Sequence, residues 1–273
     1  MQLIWHMARQ TRDAPGNTLE GIVAALAGGA TRVEVDTRPI ASGEWYLVHD
    51  NRLPDGRLIR ELDATSARAE GLPTLGDAVA RIAESGATLQ VDLKEERLLD
   101  QAEMKHLLAA VAPLGDAVVV GSMIDWNLRA LRNEAPQVPL GFDPLVYFHH
   151  WDERPVDVLF PRQLGAYGYY DDHPLALVEF LPRADYLTAR LGAFASAVSE
   201  LSELMVHWPT LTRLMDDGVD VIGTLHGQGI RVVAWTLDAD TEGSAAVFAR
   251  LAAAGVDAVV TNTAPAFNGR GRS

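Results

Sequence analysis

Cysteine is absent from this chain. That excludes disulfides and thiolate metal sites and fits a reducing compartment, so a cytoplasmic location is expected. Positive charge is scarce. Lys and Arg together number 23 against 37 Asp and Glu, giving a formal net charge of -14 and a pI of about 4.9. No basic cluster offsets this field locally, so neither nucleic acid nor an anionic membrane surface is an expected partner. An anionic substrate would need locally placed cations, either a metal or a few Arg and Lys. No apolar run approaches the roughly 20 residues of a membrane span, and no stable membrane anchor is expected. Met1-Gln-Leu-Ile-Trp5 lacks the basic and apolar regions of a signal peptide. No glycine fingerprint follows the first apolar run, which weakens an open dinucleotide-binding sheet.

What is present is alternation. Short β-branched runs take turns with amphipathic helical stretches along the 273 residues. Core strands are predicted to start near residues 2, 31, 87, 117, 138, 184, 231 and 257, with a further extended run at Trp45–Val48. Helices are predicted between most of them, opened by Asn17 as an N-cap, by Pro73-Thr74, and near Asp100 and Asp125. A strand is predicted at Ala184–Thr188. A helix follows over Ala195–Asp217, interrupted at Pro209. Eight such units imply parallel pairing through right-handed crossovers and a closed (β/α)8 TIM barrel. One domain is expected over 1–267, with a frayed tail at 268–273.

Chemistry gathers at the strand ends. Arg32-Val-Glu-Val-Asp-Thr37 has a period of two, sending Val33 and Val35 to one face and Glu34 and Asp36 to the other. Alone this reads as the polar face of an edge strand. In a barrel, however, strand C-termini meet on one face, where active sites sit. His6 closes the first strand, Glu34 and Asp36 the second, His49-Asp50 the extended run after it, and Asp92 and Lys94 the next. Three hard oxygen donors suit Mg²⁺ or Ca²⁺. Two histidines suit proton transfer near neutral pH, and a lysine adds positive charge. Together these are the requirements of displacement at phosphorus.

The ordered series His6, Pro15-Gly16-Asn17-Thr18, Glu34-Val35-Asp36, His49-Asp50, Pro73-Thr74-Leu75 and Asp92-Leu93-Lys94 resembles the glycerophosphodiester phosphodiesterase family. That family shows H-R-G, P-E-N-T, E-x-D, H-D, P-T-L and E-x-K in this order. Val233-Ala-Trp-Thr236 and Gly255-Val-Asp257 with Val259-Val-Thr-Asn262 resemble its closing motifs. The likeness spans about residues 3–265 and is weakest over 143–230. It implies metal-dependent hydrolysis of a small glycerophosphodiester to an alcohol and glycerol 3-phosphate. By position, Glu34, Asp36 and Asp92 would hold the metal. His6 and His49 would be the acid/base pair, and Lys94 would contact phosphate. Two further readings keep the same barrel: a phospholipase D-like lyase that stops at a cyclic phosphate, and an inactive barrel that binds a phosphorylated ligand.

Several positions depart from the family pattern. Met7 stands where the family has its phosphate-binding arginine, and Arg9 or Arg12 is expected to replace it. Gly16 stands in place of Glu, and Asp92 in place of a longer Glu. Only 23 residues separate Asp50 from Thr74, so the small inserted subdomain of many members is not expected. Blander readings are assigned elsewhere. Asp50 either orients His49 or acts directly, and Trp235 is either core or the floor of the pocket. His149–Glu153 and Asp171-Asp172-His173 are read as solvated loop. The irregular, aromatic-rich 143–183 stretch is expected to cover the leaving-group side or to pack against a second copy of the chain.

Overall fold

The computed structural model describes residues 1–150 and 163–268. Strand β1 spans Gln2–Trp5, helix α1 Leu19–Ala27, β2 Arg32–Pro39, β3 Trp45–Leu47, α2 Ala64–Ala69, α3 Leu75–Ala83 and β4 Thr88–Leu93. Next come α4 (Gln101–Val111), β5 (Val118–Ser122), α5 (Asp125–Glu134), β6 (Leu140–Phe142), β7 (Phe148–His149) and β8 (Tyr170–Asp171). Then follow α6 (Arg183–Ala195), β9 (Glu203–His207), α7 (Trp208–Asp216), α8 (Val221–His226), β10 (Arg231–Trp235), α9 (Ser244–Ala254) and β11 (Ala258–Thr261).

Eight of these strands close a parallel barrel in the order β1-β2-β4-β5-β6-β9-β10-β11, and β11 pairs back onto β1. Strand β3 lies outside the closure, antiparallel to β2, with Thr37 opposite Leu47. That hairpin sets His49 on the rim. The first five core strands and the last two fall where the sequence pattern places them, and no inserted subdomain follows His49. Among the described residues no helix is long and apolar enough to cross a membrane.

Two predicted elements are wrong. Residues 184–188 are not a strand but the start of α6, which buries Tyr186, Leu187, Leu191 and Phe194 at helical spacing. The missing barrel strand is β9, inside the stretch expected to be helical. Pro209 does not break a helix; it sits in the first turn of α7, where its missing N–H costs nothing. Strand β9 was hidden because polar Glu203 and His207 bound it, and Glu203 belongs inside the barrel.

The barrel interior explains that glutamate. Outward residues such as Val33, Val35, Val91 and Val206 pack against the helices. Ile4, Val119, Met205, Val233 and Val260 form an apolar layer inside. The Met205 methyl packs against Gly141 and would have to move if that residue carried a side chain. At the N-terminal end of the interior, Arg32 reaches across from β2 to β9. Its Nη1 and Nη2 donate to Glu203 Oε1 and Oε2 at 2.7 and 2.6 Å, and Nη2 also donates to Gln90 at 2.9 Å. Both ions are about 1% exposed. Such a pair offsets its desolvation only through this bidentate geometry.

Arg32→Met should therefore cost about 3 kcal/mol in urea unfolding, the low end for a broken buried pair, because Arg231 still reaches Glu203 at 3.1 Å. Adding Glu203→Leu should restore most of that loss. A double variant no more stable than the single one would show that the pair is not what holds this end of the barrel.

Candidate active site

The parity that sends Arg32 into the barrel sends Glu34 and Asp36 there too, at rising height toward the strand's C-terminal end. Register does the rest. Glu34 lies opposite Gln90 and Asp36 opposite Asp92, so carboxylates from β2 and β4 meet side by side. One oxygen from each of Glu34, Asp36 and Asp92 lies within 4.8 Å of the others.

Each acid is held in place. Glu34 Oε2 accepts from the Met7 backbone N–H at 2.7 Å. Met7 and Ala8 are both in the left-handed region, at φ 51° and 57°, which turns that N–H inward. Asn17 is not the N-cap of α1. Thr18 caps it, accepting from Gly21 N at 3.0 Å. Asn17 is instead buried at φ 58° and grips Asp36 twice: Nδ2 donates to Oδ2 at 2.9 Å, and the Asp36 N–H donates to Asn17 Oδ1 at 3.0 Å. Lys94 Nζ lies 2.6 Å from Asp92 Oδ2 and 3.1 Å from Asp36 Oδ1.

The electrostatics show what is unbalanced. Burial pushes the Lys94 ammonium down, but Asp36, Asp92 and Glu34 together raise it, so it stays charged. Burial pushes Asp36 up, but Lys94 and the two histidines outweigh it and pull it down to about 2. Glu34 is raised well above the usual range by burial and then by Asp36 and Asp92. One ammonium faces three carboxylates, and Glu34 carries the excess. Glu34 Oε1 is also buried without a hydrogen-bond donor, and Asp36 Oδ1 has only its ion pair with Lys94. An orphaned buried carboxylate oxygen in an over-negative cluster fits a divalent cation, and an all-oxygen donor set fits Mg²⁺ or Ca²⁺.

The histidines flank this cluster. His6 Nε2 is 3.8 Å from Glu34 Oε2, and its Nδ1 is 2.8 Å from Asn262 Oδ1. Burial lowers the His6 imidazolium, against the opposing pull of Asp36. His49 is half-exposed, and its Nδ1 is 2.8 Å from Asp50 Oδ1. Asp50 thus orients His49, as one of its two expected roles required. His6, Glu34, His49, Asp92, Lys94 and Trp235 all line one cavity of about 750 Å³.

Arg9 does not join them. The left-handed turn carries it past the rim onto Gly16, where an added Cβ would sit 2.7 Å from its Nε. Its Nη1 donates to the Arg12 carbonyl at 3.4 Å. Arg12 is also committed, to Asp238 and Asp240 at 3.1 Å each. Besides Lys94, Arg38 and Arg52 line the cavity, and neither is marked by the motifs. Arg38 is 9% exposed, and its Nε donates to the His49 carbonyl at 2.8 Å. Its parity with Glu34 and Asp36 was the available signal. Asp143, at the end of β6, was missed as well. It lines the cavity, and burial raises its carboxyl well above the usual range. No sequence pattern marked it within the irregular stretch.

Around His149 and Asp171 that stretch is buried rather than a solvated loop. His149 is 1% exposed and stacks on Tyr170, Phe148 stacks on Tyr169, and Tyr167 on Tyr186. Asp171 is buried, accepting from Tyr186 Oη at 2.6 Å and pairing with Arg190 at 2.9 Å. Ring stacking draws this polar sequence into a packed cap. Trp151, Asp152, Glu153 and Phe160, and the tail beyond residue 268, lie outside the described residues.

A glycerophosphoryl diester phosphodiesterase family model matches residues 10–265. The chain belongs to this family. Human glycerophosphodiester phosphodiesterase 1 is 30% identical over 166 residues, covering 53% of this chain and 50% of the relative. The mouse protein of that name is 27% identical over 174 residues, covering 56% and 53%. The chain thus aligns with about half the length of these relatives. A glycerophosphodiester phosphodiesterase structure from Agrobacterium tumefaciens shares the fold at TM-score 0.64 and 16% identity, covering 97% of both chains. An Oleispira antarctica phosphodiesterase in complex with the product sn-glycerol-3-phosphate superposes at TM-score 0.63 and 19% identity, covering 100% of this chain and 97% of that one. At such identities the likeness establishes the shared barrel.

A family member with this cluster should be stabilised by metal. With Mg²⁺ or Ca²⁺ about 100-fold above its dissociation constant, unfolding free energy should rise by about 2.7 kcal/mol. Glu34→Gln or Asp92→Asn should abolish that gain in a thermal melt. An unshifted melting temperature for the parent protein in either metal would exclude the three acids as a metal site.

Proposed function

We propose that this protein hydrolyses a small glycerophosphodiester to an alcohol and glycerol 3-phosphate in a divalent-metal-dependent reaction. The observation that carries the reading is the single cavity lined by Glu34, Asp92, Lys94 and both histidines, with Asp36 buried beside it, in a chain of this family. Glu34, Asp36 and Asp92 would hold Mg²⁺ or Ca²⁺, which when bound supplies positive charge against the non-bridging phosphate oxygens.

The chain's own groups do the rest. Lys94 adds fixed positive charge, and its two carboxylate partners aim it. Arg38, with its Nε tied to the His49 carbonyl, leaves its terminal nitrogens for an oxygen of the substrate, in the role expected of the arginine that Met7 replaces. One histidine takes a proton from the attacking oxygen and the other gives one to the leaving oxygen. Where a substrate hydroxyl attacks first, a cyclic phosphate forms and water then opens it with the two roles exchanged. Trp235 lies 4.8 Å from His207 across adjacent strand ends and floors the cavity.

Phosphorus NMR on a panel of glycerophosphodiesters and lysophospholipids should show glycerol 3-phosphate, and excess chelator should stop its formation. Accumulation of a cyclic phosphate alone would favour the lyase reading. His6→Ala and His49→Ala should each lower turnover by at least about 10²-fold while metal affinity is kept. Arg38→Met should raise KM roughly tenfold, the effect of one lost charged hydrogen bond, with kcat nearly unchanged. Full turnover in chelator would overturn the proposed chemistry.

A further inference from the structure

We infer that Asp238 and Asn262 form a positioning pair that holds His6 with its proton on Nδ1 and its lone pair on Nε2, making His6 the proton acceptor of the first step. The acceptor role rests on the hydrolase reading above. The positioning rests on hydrogen-bond geometry alone.

Asp238 follows β10 and is buried, yet it is saturated with donors. Its Oδ1 accepts from the Asn262 N–H at 2.7 Å and Thr261 Oγ1 at 3.0 Å. Its Oδ2 accepts from Asn262 Nδ2 at 2.9 Å and Arg12 Nε at 3.2 Å. Burial pushes this carboxyl up, but the bonds from Asn262 and Thr261 and the charge of Arg12 outweigh it, and it lies below the ordinary carboxylate range. It is therefore an acceptor only. An acceptor-only partner decides which way the Asn262 amide faces. Nδ2 must point at Asp238, so Oδ1 must point at His6, and it does so at 2.8 Å from Nδ1. An amide oxygen cannot donate. The proton between them belongs to His6 Nδ1, and in the neutral ring the lone pair is on Nε2, the nitrogen 3.8 Å from Glu34.

His49 is held differently. Its Nδ1 partner is the side chain of the adjacent Asp50, whereas the His6 Nδ1 partner is the Asn262 amide, with Glu34 3.8 Å from its Nε2. With its lone pair on Nε2 and turned toward the acid cluster, His6 is set to accept, and the donor's part falls to His49. This divides the labour. His6 Nε2 takes the proton of the attacking hydroxyl as its oxygen bonds to phosphorus. The bond from phosphorus to the leaving oxygen breaks, and that oxygen takes a proton from His49 Nε2. Diester becomes cyclic phosphate and alcohol, with no net gain or loss of protons. Water then opens the ring with the roles reversed. Arg12 ties the β1 loop to the same aspartate.

The test uses metal-free protein labelled with ¹⁵N-histidine, read by long-range ¹H–¹⁵N correlation, together with kcat and KM of the metal-loaded enzyme. In the parent protein, His6 Nδ1 should resonate as a protonated nitrogen and Nε2 as a lone-pair nitrogen. Asp238→Asn removes the acceptor that orients the amide. The His6 pattern should then invert or average, and kcat should fall roughly 10- to 100-fold with KM unchanged. The exchanged pair Asp238→Asn with Asn262→Asp again presents an acceptor to His6 and a donor to that acceptor. It should restore both the nitrogen pattern and most of kcat, which a merely structural role would not do. A parent His6 with its lone pair on Nδ1 would overturn the inference. So would an exchanged pair that restores stability but neither the nitrogen pattern nor kcat. Absence of any diester turnover by the parent protein overturns the hydrolase reading instead, and the nitrogen shifts still decide the positioning pair.

Discussion

Three carboxylates held within 4.8 Å against one ammonium is the constraint from which the rest of the site follows. Like charges at that distance repel strongly in a buried setting, and the chain spends several of its best donors to keep them there. The Met7 N–H, the Asn17 amide and Lys94 each oppose the repulsion at a named oxygen. Asn17 and Met7 both adopt left-handed backbone to do so, and they are tied to each other by an Asn17 N–H to Met7 carbonyl bond of 2.8 Å. Strain in one loop thus serves two acids. Such strain persists where the surroundings over-determine it.

The same strand carries the opposite solution at its other end. Arg32 and Glu34 share parity on β2. Near the N-terminal end of the barrel the interior charge is fully paired, with Arg32 answered by Glu203 and Gln90. Two residues higher, the acids are left in excess. A barrel interior therefore does not forbid charge; it requires that charge be matched. The closed pair is matched from within the chain, and the open cluster leaves negative charge for a cation to match.

This distinction also explains what was legible in the sequence. A period-two strand with two acids on one face can be read without coordinates, as can His49-Asp50 beyond it. Strand β9 could not be read that way, because its inward Glu203 is intelligible only with Arg32 known to stand 171 residues away in sequence. Local pattern scored it as polar and helical. Asn17 was misread for a related reason. A helix-start position explains an asparagine locally, while its actual partner, Asp36, is brought near only by the β1–β2 crossover. The aromatic cap was misread because stacking partners such as Tyr167 and Tyr186 lie on different elements. Parity and spacing are local quantities. Partnership across the barrel is not.

The departures at Met7 and Gly16 are one change rather than two. A Cβ at residue 16 would meet Met7 Cβ at 2.8 Å and Arg9 Nε at 2.7 Å, so a larger residue there is incompatible with the way this loop packs. Methionine at 7 fills the space with an apolar side chain, and Arg9 is folded against it instead of facing substrate. The loop has exchanged a polar wall for an apolar one while keeping the Met7 N–H that holds Glu34. A backbone donor survives a change of side chain, and the acid cluster is accordingly insulated from the substitution. The phosphate-facing cation is not insulated. Arg38, two residues beyond Asp36 on the same inward face, lines the cavity and is the cation proposed in its place.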